Sequence, residues 1–292
     1  MLLHLTLPTN VIQNCTSNLN PPKKIETFSQ IIDDMQHKLQ IIPVPAFKDN
    51  YIWLIHNGTN AVAVDPGDAA PLLSTLSTLN LNLEAILITH HHQDHIGGVD
   101  ALLKQFPALN VFAPKLEHYA FKHIPIGEPD TFKCTDWLPE LKVLDLPGHT
   151  LGHIGFYIES ADQKWLFCGD TLFGAGCGRL FEGTPLQMFT SLQKLAVLPA
   201  ESLVFCTHEY TLHNINFALS VEPDNEALTQ RHQDTIAMRN AELPSLPSTI
   251  ALELATNPFL RCDSKQIQLS TQLLNQPLLQ VFIKIRELRN SY

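Results

Sequence analysis

Directly after the apolar run Ala85-Ile86-Leu87-Ile88 the chain reads Thr89-His90-His91-His92-Gln93-Asp94-His95-Ile96-Gly97-Gly98, and a helical pattern starts at Gly98. His90, His92, Asp94 and His95 are thus four potential cation ligands within six positions. Imidazole is the commonest protein metal ligand, and imidazole mixed with carboxylate suits zinc, iron or manganese. In an extended segment, residues two apart project to the same side, so His90 and His92 can serve one point. Asp94 and His95, at the start of the helix, can face a second point, which makes room for two cations. Gly97 and Gly98 would let main chain pack closely around so crowded a loop. Three further candidates each follow an apolar run: His149 after 144–148, Asp170 after 165–169 and His208 after 203–207. A single histidine or aspartate at a strand end is usually structural. Four strand ends offering ligands together point to a built metal site, not to a surface histidine tract that picks up ions adventitiously.

The elements that must hold these residues follow from hydrophobic periodicity. Short β-rich runs at 41–44, 51–55 and 61–64, the second and third joined by Asn57-Gly58, read as a hairpin-led start to a domain. A helix over 70–79, a buried strand over 85–88, a helix over 98–106 and strands at 142–146, 154–158, 165–168 and 203–206 make a layered α/β body. No strand is expected after Cys206. Segments 214–221, 226–240 and 277–288 read as helices, interrupted by Leu243-Pro244-Ser245-Leu246-Pro247. The expected organisation is an N-terminal extension over 1–40 with one helix at 26–39 and no evident role, a catalytic domain over 41–212, and a smaller helical substrate-binding domain over 213–292.

Composition narrows the function. The 292 residues are 45% apolar and 16% charged, an ordinary globular balance. Nineteen basic against twenty-nine acidic residues give a net charge of −10, which excludes nucleic acid and anionic membrane as partners for a chain with no basic stripe. Fourteen histidines are an excess that fits metal chemistry. Cys15, Cys134, Cys168, Cys177, Cys206 and Cys262 are scattered without a Cys-x-x-Cys pair, which fits a reducing compartment. No run reaches the ~18 apolar residues of a membrane span, and the N-terminus lacks the charge and cleavage pattern of a signal peptide. A cytoplasmic monomer is expected.

The set His90-x-His92-x-Asp94-His95, His149, Asp170 and His208 resembles the ligand set of the metallo-β-lactamase superfamily. That resemblance implies an αββα sandwich, with the helical C-terminal domain appended. It further implies a first metal on His90, His92 and His149, a second on Asp94, His95 and His208, and Asp170 as the bridge. His91 has no ligand role in that pattern. From 41 to about 265 the chain is similar, more narrowly, to the glyoxalase II (hydroxyacylglutathione hydrolase) family. The similarity is carried by Gly169-Asp170-Thr171-Leu172-Phe173, by 176–184, by His208-Glu209-Tyr210-Thr211 and by Asn257-Pro258-Phe259-Leu260-Arg261.

The family implies hydrolysis of S-(2-hydroxyacyl)glutathione, typified by S-D-lactoylglutathione, to glutathione and a 2-hydroxy acid, the second step of methylglyoxal detoxification. Asp94 and Asp170 would position the attacking water. Two divalent metal ions per chain are implied, zinc first, with iron or manganese compatible. Arg179 and Tyr210 would contact glutathione, with Arg261 and Lys265 of the helical domain reaching over it. Glutathione carries two carboxylates, so an acidic protein must gather local positive charge to hold it. Phe181 stands where some members have a tyrosine whose hydroxyl contacts glutathione. A one-iron persulfide dioxygenase of the same superfamily is the nearest enzymatic alternative, and a non-catalytic or nucleic-acid-processing relative is the other. Asp170 in place of the cysteine common in β-lactamases argues against lactam hydrolysis, and Cys168 and Cys177 are read as packing residues.

Overall fold

The computed structural model describes residues 39–292, and Leu39–Tyr292 form one compact unit. The extension and the helix expected from Glu26 lie outside the described residues. Two six-stranded sheets make the body. The first contains β1 (Gln40–Ala46), β2 (Asn50–His56), β3 (Asn60–Val64), β4 (Asn82–Leu87), β5 (Asn110–Pro114) and β6 (Ile124–Ile126) in that order. The second runs β14 (Ser248–Thr249), β13 (Leu203–Cys206), β10 (Lys164–Gly169), β9 (Ile154–Glu159), β8 (Leu141–Asp145) and β7 (Thr131–Phe132). A small hairpin, β11 (Leu172–Phe173) with β12 (Gly176–Cys177), follows β10.

The two-residue alternation of side chains along β2 shows how the layers form. Tyr51, Trp53 and Ile55 belong to a large core that also takes Val143, Phe156, Leu166 and Phe205 of the second sheet. Ile52 and Leu54, on the opposite face, join Leu72 and Leu76 of α1 (Ala69–Leu79) and Val99 and Leu102 of α3 (Val99–Gln105). All seven residues of β2 are buried, as a strand covered on both faces requires. On the far face of the second sheet, α4 (Pro185–Ala196) brings Met188, Leu192 and Leu195 into the large core. Helix–sheet–sheet–helix layering is the result. Thr184 and Gln187 close a capping box on α4, with Pro185 at its first turn.

The C-terminal region carries α5 (Thr211–Val221), α6 (Glu226–Asn240), α7 (Ile250–Thr256), α8 (Lys265–Ser270) and α9 (Leu278–Ser291). One short strand interrupts it, contrary to the expectation that strands stop at Cys206: β14 pairs Ser248 with Val204 and Thr249 with Leu203. Two residues beside Pro247 are too few to show an alternating pattern, and they form a strand only because the edge of β13 is free to pair.

A candidate dinuclear metal centre

Four strand ends converge. The segment leaving β4 carries His90, His92, Asp94 and His95, the last two on α2, a single helical turn at Gln93–Ile96. His149 follows β8, Asp170 follows β10 and His208 follows β13. Thr89 O accepts from Ile154 N at 2.9 Å and Thr207 O from Tyr51 N at 2.7 Å, so main-chain bonds lock the strand ends of the two sheets together. Gly97 and Gly98 provide the close approach: a side chain on Gly97 would strike Gly67 O, and one on Gly98 would strike Pro66 O.

All seven sequence-derived ligand candidates meet here. His90, His92 and His149 form one group, Asp94, His95 and His208 another, and Asp170 joins His90 and His95 in a third, with the ligand atoms of each group within 4.8 Å of one another. Asp170 lies between the two histidine sets, Oδ1 3.4 Å from His95 Nε2, and Oδ2 3.4 Å from both His149 Nε2 and His208 Nε2.

The ring orientations are fixed from behind. His149 Nδ1 donates to Arg179 O at 2.8 Å, His208 Nδ1 to Asp49 Oδ1 at 2.8 Å and His95 Nδ1 to Asp65 Oδ2 at 2.9 Å. His90 Nδ1 donates to Thr89 Oγ1 at 3.1 Å, and Thr89 Oγ1 donates onward to Asp65 Oδ2 at 2.7 Å. A proton held on the outer nitrogen leaves the inner nitrogen a lone pair, the tautomer a metal needs. His92 Nδ1 then lies 3.1 Å from His90 Nε2 and 3.0 Å from His149 Nε2. With the His92 proton also on its outer nitrogen, three lone pairs would face one another, an arrangement that a shared cation would satisfy. His95 Nε2 and Asp170 Oδ1 are buried and, among the described residues, have no hydrogen-bond partner. An orphaned pair of that kind is costly unless something binds it. The donor set therefore fits two divalent cations.

Electrostatics agree. Burial, then the neighbouring histidines, press the His90 pKa well below its ordinary value, so this ring is neutral. Burial acts to raise Asp170, but His208 and His95 outweigh it and hold the carboxyl far below the usual range. Burial acts to lower His208, but Asp170 and then Asp94 and Asp49 push it up to about 11. One half of the site is set for neutral ligands and the other demands positive charge.

Several supporting residues carry no sequence signal. Asp65, in a left-handed conformation at φ 52°, accepts from Thr89 N, Thr89 Oγ1 and His95. Asn50 donates to Asp94 Oδ2 at 3.1 Å, and His153 Nε2 accepts from Asp170 N at 3.1 Å. His91 points away from the ligand cluster, between Glu117 and Glu182 at 3.2 Å each. Cys168 and Cys177 are buried, and burial raises both thiol pKa values, which makes them poor nucleophiles.

A cavity of about 370 Å³ opens from His149 and Asp170 and is lined by Phe173, Arg179, Phe181, Tyr210, Arg286 and Arg289 among others. Tyr210 lies flat on the His208 ring, centroids 4.6 Å apart. Phe181, 63% exposed, meets His92 and His149 edge-on. Arg179 and Tyr210 line this cavity, whereas Arg261 and Lys265 do not. Arg261 is turned onto Glu222, which takes its Nε at 2.9 Å and Nη2 at 2.8 Å, and Lys265 is exposed at the first turn of α8. The basic side chains that α9 supplies instead are Arg286 and Arg289. Arg286 Nη1 donates to Cys177 O at 2.9 Å and Arg289 Nη2 to Asn214 Oδ1 at 3.1 Å. Among the described residues, no acidic side chain pairs with Arg179, Arg286 or Arg289. The only sequence cue to the latter two was their i, i+3 spacing on one helix face.

Comparison with known proteins agrees with this construction. Residues 47–208 match the model of the metallo-beta-lactamase superfamily, and residues 209–292 match that of the hydroxyacylglutathione hydrolase C-terminus. A hydroxyacylglutathione hydrolase of Methylobacillus flagellatus is 53% identical over 253 residues, covering 87% of this chain and 99% of the relative. One from Vibrio parahaemolyticus is 49% identical over 257 residues, covering 87% of this chain and 100% of the relative. Among solved structures, TTHA1623 in a di-iron-bound form superposes with a TM-score of 0.54 at 27% identity, covering 75% of this chain and all of that one.

Proposed function

The chain belongs to the metallo-beta-lactamase superfamily and, within it, to the hydroxyacylglutathione hydrolases, and on that premise we propose that it hydrolyses S-(2-hydroxyacyl)glutathione, such as S-D-lactoylglutathione, at a dinuclear metal centre. The products are glutathione and a 2-hydroxy acid, D-lactate for that substrate, the second step of methylglyoxal detoxification. One observation carries the substrate class: three arginines without acidic partners line the cavity that opens on the ligand cluster. A ligand with two carboxylates and a thioester satisfies both halves of such a site.

His90, His92 and His149 would hold one cation, Asp94, His95 and His208 the other, and Asp170 would face both. Zinc is our first assignment, and TTHA1623, with its two irons, is a relative in fold whose metal differs. Two divalent cations supply Lewis acidity there, polarising a carbonyl and lowering the pKa of water from 15.7 toward about 7.

The protein's own groups do the rest. Asp94 and Asp170, both held ionised, accept hydrogen bonds from the attacking water and aim it at the thioester carbonyl. Tyr210 keeps its proton, because burial and then the carboxylate of Asp49 raise its pKa, so it serves as a donor beside Arg179. Arg179, Arg286 and Arg289 hold the glutathione carboxylates. The C–S bond breaks without a strong acid, since a thiol of pKa ~8.5 leaves readily. Under the same proposal the enzyme is a monomer, supported by a site drawn wholly from one chain. A cytoplasmic location is supported by five unpaired cysteines among the described residues. We also assign 41–212 as the catalytic part and 213–292 as the substrate-binding part.

The test is a comparison of leaving groups. S-D-lactoylglutathione should be hydrolysed with a kcat/KM at least 100-fold above that of the lactoyl thioester of N-acetylcysteamine, which lacks both carboxylates. Equal values would overturn the glutathione assignment.

A further inference from the structure

His91 is the one histidine of the 90–95 run that the metal centre does not use, and its surroundings are built around it. Its Nδ1 lies 3.2 Å from Glu117 Oε2 and its Nε2 3.2 Å from Glu182 Oε1, so the ring bridges carboxylates from two segments far apart in sequence. Glu117, between β5 and β6, is buried, and a buried carboxylate is tolerated only where donors surround it. Tyr119 donates to it at 3.0 Å, and Thr150 Oγ1 donates to its other oxygen. Glu182 uses its second oxygen to accept from Leu151 N at 2.9 Å. Thr150 and Leu151 directly follow the ligand candidate His149, so both arms of the bridge end on the same turn.

Segment 179–183 wraps that turn through main-chain bonds. His149 O accepts from Phe181 N at 3.2 Å and from Glu182 N at 3.3 Å, and Gly148 O accepts from Gly183 N at 3.2 Å. Arg179 O in turn accepts from His149 Nδ1 at 2.8 Å. The approach is close: a side chain on Gly152 would strike Glu117 Cγ, and one on Gly183 would strike the main chain of Gly148. Arg179, which lines the glutathione cavity, is carried by this segment. The contact from His91 to Glu182 is therefore a side-chain link between the ligand loop and the segment that presents a substrate-binding arginine.

Resting on the hydrolase reading above, we propose that His91 is a positioning residue for substrate, a clasp that fixes segment 179–183 against the metal-ligand loop. It acts through Glu182 and sets the distance between Arg179 and the metal ligands. An unclasped arginine still attracts a carboxylate, but it no longer places the thioester carbonyl accurately, and small errors of placement are expensive in rate.

The test measures kcat/KM and metal content of the whole enzyme on S-D-lactoylglutathione and on the lactoyl thioester of N-acetylcysteamine, which has no carboxylate for Arg179. His91→Ala should lower the ratio of the two values by about tenfold, within the range of a placement error near the chemistry. Glu182→Ala opens the same link from its exposed end and should lower the ratio equally; it serves alone if the His91 variant fails to fold. His91→Gln, whose amide nitrogen takes the place of Nε2, should keep most of the wild-type ratio, whereas His91→Asn reaches only toward Glu117 and should behave as alanine. In an Arg179→Ala background, His91→Ala should change the ratio by no more than about twofold, because the clasp then has nothing to place. An unchanged ratio in the single variants, equal losses on both thioesters, or a loss of ratio that persists without Arg179 would overturn the clasp. A wild-type enzyme that hydrolyses neither thioester would instead overturn the hydrolase reading itself.

Discussion

Replacing Arg289 and Arg261 separately gives opposite signatures, because one faces the cavity without an acidic partner and the other is committed to Glu222. Arg289 is half-buried, its guanidinium pKa drawn down by burial and then by Arg286 and Arg179, a crowding of like charge that only an anion relieves. A charge-assisted hydrogen bond to a substrate carboxylate is worth about 1.5–3 kcal/mol, so Arg289→Ala should lower kcat/KM by roughly 10- to 150-fold. The loss should fall on KM, since this arginine holds a part of the substrate remote from the reacting carbonyl. Stability should stay within about 2 °C of wild type in Tm, because the lost Asn214 bond is offset by relief of repulsion. Arg261→Ala strands the Glu222 carboxylate, 3% exposed, with Ser264 and Asn225 as its remaining side-chain partners among the described residues. That should cost about 1–3 kcal/mol and several degrees in Tm while leaving kcat/KM within about twofold. Steady-state kinetics and thermal melts of both variants decide it. A tenfold rise in KM for Arg261→Ala alongside normal kinetics for Arg289→Ala would refute the assignment of charges to the cavity.

Asp170→Ala should abolish most activity and reduce bound metal while the far-ultraviolet circular dichroism stays native; full turnover with two metals bound would contradict its bridging place. Asn257 Nδ2 donates to Phe173 O and Gly176 O and so pins the hairpin that floors the cavity. Asn257→Ala should cost about 2–3 kcal/mol in urea unfolding and raise KM, and a variant as stable as wild type would show that the pin is dispensable. The pKa of Glu222 is lowered because its bonds to Arg261 and Ser264 outweigh burial, so its stabilising contribution is full above the unfolded value of about 4.3 and is lost as pH falls through the folded one. The Tm gap between wild type and Glu222→Gln should therefore shrink below about pH 4 and stay constant above about pH 6, and a gap widening toward low pH would reverse that sign.

The ligand cluster was legible in the sequence because its chemistry is concentrated, four side chains on one loop and three more each ending an apolar strand. The structure brings all seven to one place. What escaped was dispersed or conformational. Asp49, Asn50 and Asp65 are ordinary polar residues until the strand ends fold around them, and each acts on a ligand at least 30 residues away in sequence. Arg286 and Arg289 look like the solvated face of a terminal helix, and only the packing of α9 on Phe259 and Phe217 turns them inward. Arg261 attracted a binding role through its motif, and its use by Glu222 could not be read without the fold. The two residues of β14 are below the length at which alternation can be recognised.

The most direct test is hydrolysis of S-D-lactoylglutathione by the purified protein, with metal content measured on the same sample before and after chelation. The expected result is turnover with about two metals per chain, lost on chelation and restored by adding zinc. Undiminished turnover by metal-free protein, or two bound metals with no thioester hydrolysis, would contradict a dinuclear hydroxyacylglutathione hydrolase.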